Sequence, residues 1–200
     1  MDKKVTRGNG LLEKFLAKRR SDVANGLIPF SHRKGRILDI GCGSYPFFLV
    51  NTEYSEKYGI DRIGKEALNN ENTAGINLLN FDIEKSEPMP FPDNYFSAVT
   101  ALAVVEHIAP SVFLGLLKEI KRVLIPGGVY VMTTPAPWSG GLLDLMVKLR
   151  LVSSDEIEEH KAEWGRNNLL RAVTKNGFVK ENVRFGYFEI FMNTWMAVIK

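Results

Sequence analysis

The sequence has a single cysteine, only three histidines and no long apolar run. The lone cysteine, Cys42, excludes an internal disulfide framework and a cysteine-rich zinc site, and no metal site is predicted. Without a run of about 18 apolar residues, a transmembrane helix is not expected. The charged first residues, MDKKVTRGNG, lack the apolar segment and cleavage site of a signal peptide, so a cytoplasmic location is expected.

The sequence also lacks a strong excess of positive or negative charge. The 26 basic and 23 acidic residues give a net charge of +3, which is too small to imply a nucleic-acid partner. Basic residues are concentrated in residues 1–34, where a solvated helix face is the simpler interpretation. The apolar share of 45% and the charged share of 24% are typical of a soluble globular protein. A chain of 200 residues is long enough to form one α/β domain with a full core.

The stretch RILDIGCGSYPFFLV, residues 36–50, predicts a buried strand, a glycine-rich turn and the start of a helix. Gly41 and Gly43 allow backbone N–H groups to approach a ligand closely, and a helix N-terminus adds partial positive charge. In an open α/β sheet, ligands bind outside the carboxyl end of such a strand. A Gly-x-Gly turn alone does not identify the ligand.

Strand-like and helix-like segments alternate along the rest of the chain. This alternation predicts an α/β, Rossmann-like, doubly wound fold in three layers. The sheet is expected to be seven-stranded and mostly parallel, with an antiparallel last strand, since a crossover helix does not fit between the final two strands. The predicted strands are Ile37–Ile40, Tyr58–Asp61, Asn77–Asp82, Phe96–Ala103, Val129–Thr134, Phe178–Phe185 and Asn193–Ile199, and the main predicted helices are Gly10–Asn25, Glu106–Leu124 and Asn167–Asn176.

Residues 1–200 are expected to form one domain, with an N-terminal helix and loop over residues 1–34. Residues 139–160 form an unusual insert that is strongly apolar over Gly141–Val152 and acidic afterwards. Three interpretations of the insert stay open: a lid over a ligand pocket, a surface for a lipid-linked acceptor, or a helix packed into the core.

Asp61 ends the second predicted strand and lies twenty positions after Gly41. A carboxylate at that place can accept both hydroxyls of a ribose, which suits NAD and S-adenosylmethionine equally. A helix N-cap is the alternative role. A dinucleotide fingerprint needs a third glycine where this chain has Pro46. The turn therefore fits a nucleoside without a pyrophosphate better.

Five stretches of the sequence, in this order, are similar to those of a known protein family: ILDIGCG, YGID, NFDIEKSEPMPFPDNYFSAVTALAVVEHI, LKEIKRVLIPGGVYVMTTP and NLLRAVTKNGF. Together they resemble the class I S-adenosylmethionine-dependent methyltransferases of the group called methyltransferase type 11. The similarity runs from about Gly35 to the C-terminus. It implies S-adenosyl-L-methionine as cofactor and S-adenosyl-L-homocysteine as product. The family often has a third glycine where this chain has Tyr45.

The resemblance also implies roles for individual residues. Asp61 would accept the ribose hydroxyls, and Asp82 would accept a hydrogen bond from the adenine amino group. The other implied cofactor contacts are Asp39, Gly41, Cys42, Gly43, Arg62, Ile63, Ile83, Ala101 and Leu102.

An acceptor pocket is predicted next to the cofactor. Its candidate residues are Tyr45, Glu106, His107, His160 and Trp164. His107 is the candidate general base, and a structural histidine is the alternative. For Trp164 the alternative is a place in the core.

The favoured hypothesis is a cytoplasmic methyltransferase that acts on a small-molecule, sugar or lipid-linked acceptor. Nucleic acid is not expected, because the fourth strand is followed by ALAV rather than an Asn-Pro-Pro-Tyr motif. Methyl transfer depends mainly on alignment of donor and acceptor, so it does not require an acid–base pair. A non-catalytic cofactor-binding or interaction protein and an NAD-dependent oxidoreductase are the alternatives. A membrane surface is a less favoured partner than a small-molecule or lipid-linked acceptor.

Overall fold

The computed structural model describes residues 12–64, 73–85, 87–139 and 164–200. The strands in these residues are β1 (Arg36–Ile40), β2 (Glu56–Asp61), β3 (Ile76–Asn80), β4 (Phe96–Leu102), β5 (Leu124–Pro135), β6 (Val183–Phe188) and β7 (Asn193–Ile199). The α-helices are α1 (Glu13–Leu27), α2 (Phe47–Val50), α3 (Pro110–Val123) and α4 (Arg166–Lys175). The predicted insert, apart from Ser139, and His160 within it lie outside the described residues.

The seven strands described here form one sheet in the order β3-β2-β1-β4-β5-β7-β6. β1 pairs in parallel with β2 and β4, and the parallel pairing continues to β3 on one side and β5 on the other. β7 lies between β5 and β6 and is antiparallel to both. The predicted fold class is confirmed. The chain adds β2 and β3 on one side of β1 and then β4 and β5 on its other side. The order of the strands therefore reverses between β1 and β4, which is where ligands bind in folds of this type.

Apolar side chains alternate between the two faces of the sheet, as the pleat of a strand requires. In β1, Ile37 packs on the face that α1 and α2 cover, and its neighbour Leu38 packs on the other face. Phe113 of α3 and Leu169 of α4 belong to the core on that second face. Both faces of the sheet are therefore buried under helices, which gives the predicted three layers. None of the helices in the described residues is long and apolar enough to span a membrane.

The helix predicted over Glu106–Leu124 is wrong at its start. Residues Val105–His107 form a separate 3₁₀ turn, and α3 begins only at Pro110. A proline disfavours helical geometry in the residue before it, and Ala109 is extended, with φ −63° and ψ 146°. Proline is well suited to the first turn of a helix, so α3 starts there. His107 consequently lies in a turn at the end of β4 and not on α3.

The predicted boundaries of the third and sixth strands are also shifted. β3 ends at Asn80, before Asp82, because the Asp82 side chain accepts a hydrogen bond from the Glu84 N–H at 3.0 Å and forms a local turn. β6 begins at Val183 instead of Phe178, which is buried directly after α4. The helix after β1 is the single turn α2.

Candidate functional site

The glycine turn follows β1 at the carboxyl edge of the sheet. Gly41 and Gly43 both have left-handed backbone conformations, with φ of +71° and +72°. The Gly41 N–H donates a hydrogen bond to the Ile60 carbonyl at 2.8 Å, which ties the turn to β2. Glycine adopts this conformation readily, whereas other residues do so at a cost.

The two glycines serve different purposes. A Cβ atom at Gly41 would overlap the Val104 side chain, so close packing against the turn after β4 excludes any larger residue. At Gly43 the nearest atom to such a Cβ would be the Tyr45 carbonyl oxygen at 3.8 Å. The space beside Gly43 is therefore open, which leaves the backbone accessible to a ligand.

Asp61, the last residue of β2, holds the turn in place. One carboxylate oxygen accepts a hydrogen bond from the Gly43 N–H at 2.8 Å, and the other accepts one from the Arg62 N–H at 2.6 Å. Hydrogen bonds to a charged acceptor are the stronger kind. The structure thus brings together the predicted glycines of β1 and the predicted acid of β2.

Asp39 lies on β1 immediately before the turn and is buried. Its carboxylate accepts a hydrogen bond from the Thr100 hydroxyl of β4 at 2.6 Å. Burial raises the pKa of Asp39 from 3.8 to about 7; the Thr100 hydrogen bond opposes this rise, and the charge of Asp61 adds to it. Thr100 was not among the predicted site residues, since its role depends on strand pairing and not on local sequence.

Cys42, between the two glycines, is also buried. Burial, followed by the charges of Asp39 and Asp61, raises the pKa of its thiol well above the ordinary value. A thiol that remains protonated is a poor nucleophile, so the side chain contributes packing next to the candidate cofactor site.

The residues predicted to contact adenine follow β2 and β3 at the same edge. Ile63 is buried, and its N–H donates a hydrogen bond to the Asn80 side chain at 3.2 Å. Asp82 and Ile83 are half-buried, and Arg62 is exposed. Asn80, which no sequence pattern indicated, joins these two segments.

The end of β4 supplies the third side of the site. Ala101 is buried and Leu102 is half-buried. Ala103 follows with a φ of +56°, and its N–H donates a hydrogen bond to the Thr133 carbonyl at 3.0 Å. This bend brings Val104 over Gly41. A left-handed alanine gives no signal in the sequence.

The candidate acceptor residues are only partly brought together. Tyr45 is half-buried in the glycine turn, Glu106 is buried, and His107 is half-buried in the 3₁₀ turn after β4. Trp164 is a core residue: its indole N–H donates a hydrogen bond to the Val105 carbonyl at 3.1 Å, and its ring packs edge-on against a phenylalanine of α3. The placement of Trp164 favours the core alternative.

The part of the chain that forms this site matches a known protein family. Residues 38–132 match the model of the methyltransferase domain family. This range contains the glycine turn, the ends of β2 and β4, and the turn with His107.

Two curated relatives are similar in sequence. The chain is 34% identical over 108 residues to a sterol 24-C-methyltransferase of Gibberella zeae, a match that covers 48% of this chain and 26% of that protein. It is 30% identical over 127 residues to a fatty-acid O-methyltransferase of Mycolicibacterium smegmatis, covering 57% of this chain and 44% of that protein. The matched parts thus span less than half the length of both relatives.

Solved structures share the fold. A possible histamine N-methyltransferase from Thermotoga maritima has a TM-score of 0.71 at 16% identity, with 95% of this chain and 91% of that chain covered. A SAM-dependent methyltransferase from Archaeoglobus fulgidus has a TM-score of 0.68 at 18% identity, with 94% and 95% covered. The predicted resemblance to class I methyltransferases is confirmed by the family match and by the shared fold.

The different surroundings of the two glycines lead to a stability prediction. Gly41→Ala is expected to lower the free energy of unfolding by about 3 kcal/mol or more, because a left-handed alanine also overlaps Val104. Gly43→Ala is expected to lower it by only about 1 kcal/mol, the backbone cost alone. Urea denaturation of both variants measures the difference. Equal losses would contradict the assignment of Gly41 to packing and Gly43 to an open surface.

Asp39 leads to a prediction about pH. A carboxyl group whose pKa is higher in the folded state stabilises the fold below the unfolded pKa of 3.8, and that contribution is lost as the pH rises towards 7. Asp39→Asn removes the titration. The variant should therefore gain about 2–3 kcal/mol relative to the natural protein between about pH 5 and about pH 8. Urea denaturation at both pH values tests this, and a constant difference would refute it.

Proposed function

Because residues 38–132 match the methyltransferase domain family, we propose that this chain transfers the methyl group of S-adenosyl-L-methionine to an apolar, lipid-like small molecule. S-adenosyl-L-homocysteine is the second product. The observation that carries the proposal is the open glycine turn, in which Gly43 has space beside it and donates its N–H to the Asp61 carboxylate.

The described residues fit the cofactor on chemical grounds. Two backbone N–H groups hold the Asp61 carboxylate in one orientation, which suits it to accept ribose hydroxyls. Ile83, which is half-buried, offers apolar surface for an adenine ring, next to the Asp82 carboxylate. Gly43 would let the methionine part lie against the backbone, near the Asp39 carboxyl group.

S-adenosylmethionine, when bound, supplies an electrophilic methyl group on a positively charged sulfur. The protein has to hold the acceptor in line with that methyl group and keep water away. The Asp61 carboxylate provides negative charge at the end of β2, which favours a cationic ligand, and such a ligand would in turn favour the ionised form of Asp39, whose pKa burial raises to about 7. His107 would act as a base only for an acceptor that must lose a proton before attack.

The lipid-like acceptor is supported by two observations. Both curated relatives carry names with apolar substrates, a sterol and a fatty acid. The sequence Gly141–Val152, which comes after the β5 residues in the chain, is strongly apolar. An ionised carboxylate of a fatty acid needs no general base, so alignment alone would be enough for that acceptor.

The cofactor assignment predicts a specific loss of binding. Asp61→Ala should weaken S-adenosylmethionine binding at least about tenfold, because hydrogen bonds to a charged carboxylate are lost. Asp22→Ala is the matched control, since Asp22 lies exposed on α1 and pairs with Lys18. Isothermal titration calorimetry measures both variants. Unchanged affinity in Asp61→Ala would contradict the placement, and preferential binding of NAD would favour the oxidoreductase alternative.

The acceptor assignment predicts a preference in turnover. Release of S-adenosylhomocysteine should be measured with a long-chain fatty acid, a sterol, a sugar and a small polar amine. We expect turnover with an apolar acceptor and a lower rate as a fatty-acid chain is shortened, since less apolar surface is buried. Turnover only with polar acceptors would contradict the lipid-like assignment. Cofactor binding without turnover on any acceptor would favour the non-catalytic alternative.

A further inference from the structure

The turn between β6 and β7 has an unusual backbone. Glu189, Ile190 and Phe191 are consecutive and have left-handed φ values of +51°, +53° and +65°. Glycine and asparagine occupy such positions readily, whereas a β-branched isoleucine is a clear outlier there. The chain therefore keeps two bulky apolar residues at positions that are unfavourable for them, and strained positions of this kind occur preferentially at functional sites.

These apolar side chains point into solvent. Ile190 is 87% exposed and Phe191 is 65% exposed. Tyr187, at the end of β6, is half exposed, and its ring lies 5.9 Å from that of Phe191. These side chains are not part of the hydrophobic core. Exposure of neighbouring apolar side chains to water costs free energy. Their exposure indicates an interaction surface.

A second segment adds a tryptophan to the same surface. The Ala136 N–H donates a hydrogen bond to the Met192 carbonyl at 2.8 Å, which holds the end of β5 against the turn. Trp138 follows in the next 3₁₀ turn and is 57% exposed. We call Trp138, Tyr187, Ile190 and Phe191 the apolar edge. It lies at the carboxyl edge of the sheet, on the side of the candidate cofactor site.

Two arginines of α1 act electrostatically on Glu189, the residue that precedes Ile190 in the turn. Burial raises the pKa of the Glu189 carboxyl group, while the charges of Arg20 and Arg19 oppose that rise, so both arginines are within electrostatic reach of the turn. Phe15 lies one helical turn before Arg19 on the same side of α1 and is also exposed. Arg19 and Arg20 therefore add positive charge near the turn that carries Ile190 and Phe191.

We propose that the apolar edge docks on the surface of an anionic lipid bilayer. Ile190, Phe191 and Trp138 would enter the interface, where tryptophan and other amphipathic rings are favoured. Arg19 and Arg20 would lie over anionic headgroups, which attract basic residues near the surface. Ile190 stands at the tip of a turn, a shape that inserts between lipids more easily than it fills a protein groove. This docking does not depend on the acceptor proposed above.

The test uses flotation of the full chain with vesicles of phosphatidylcholine, with or without about one third phosphatidylserine. Ile190→Asn/Phe191→Gly removes the apolar tip and relieves the left-handed backbone, so this variant is expected to be at least as stable as the natural protein. Its matched control is Val179→Asn/Phe30→Gly. This pair removes one β-branched and one aromatic residue that are exposed outside the apolar edge, before β6 and before β1.

We expect the natural chain to float with anionic vesicles and to bind neutral ones more weakly. The tip variant should lose binding to anionic vesicles at least about tenfold, since its apolar anchors are gone, and the control should keep it. Arg19→Gln/Arg20→Gln should remove the preference for anionic lipid, and added salt should weaken binding in the natural chain.

Three results would overturn the proposal: no flotation of the natural chain with anionic vesicles, equal binding by the tip variant, or equal losses in the tip variant and its control. Self-association that the tip variant abolishes, in a chain that does not float, would instead assign the apolar edge to a second copy. Turnover of a detergent-dispersed acceptor by the tip variant should be unchanged. That measurement separates failure of docking from failure of the proposed methyl transfer.

Discussion

The contact between Gly41 and Val104 is the constraint on which the carboxyl edge of the sheet depends. Because Gly41 has no Cβ atom, the turn after β1 can lie directly under the turn after β4, where a Cβ atom would overlap Val104. The left-handed Ala103 brings Val104 into that place, and Thr133 of β5 accepts the hydrogen bond that holds the bend. Gly43 then reaches the Asp61 carboxylate of β2. The ends of four strands are thus fixed relative to one another, and the open space beside Gly43 results from this arrangement.

The carboxyl groups of Asp39 and Asp61 interact electrostatically at this edge of the sheet. Asp39 is buried and bound to Thr100, whereas Asp61 is half-buried and held by backbone N–H groups. Burial is the main cause of the raised pKa of Asp39, and repulsion by the Asp61 charge adds to it. A positive charge bound near both groups would offset that repulsion and favour the ionised form of Asp39. The site is therefore prepared for a cationic ligand, which distinguishes the sulfonium cofactor from an anionic pyrophosphate.

Local sequence was enough to predict the fold class and the position of the glycine turn, Asp39 and Asp61 at one edge of the sheet, since apolar runs ending in Asp39 and Asp61 mark buried parallel strands. Features that depend on packing could not be predicted. Thr100 and Asn80 act through partners far away in the chain, and the left-handed Ala103 depends on its bond to Thr133. The false start of α3 has a different cause: the helix was predicted to begin at Glu106, directly after the fourth strand, but Pro110 prevents a helical Ala109.

The antiparallel β7 links the candidate site to the apolar edge. Asn193, the first residue of β7, pairs with Pro135, the last residue of β5, so the turn after β6 lies at the carboxyl edge. A parallel last strand would begin at the opposite edge, and its preceding turn would lie away from the glycine turn. The reversal of one strand therefore places the exposed Ile190 and Phe191 on the same edge of the sheet as Gly43. A membrane bound at this edge would lie on the side from which an apolar acceptor could approach the cofactor.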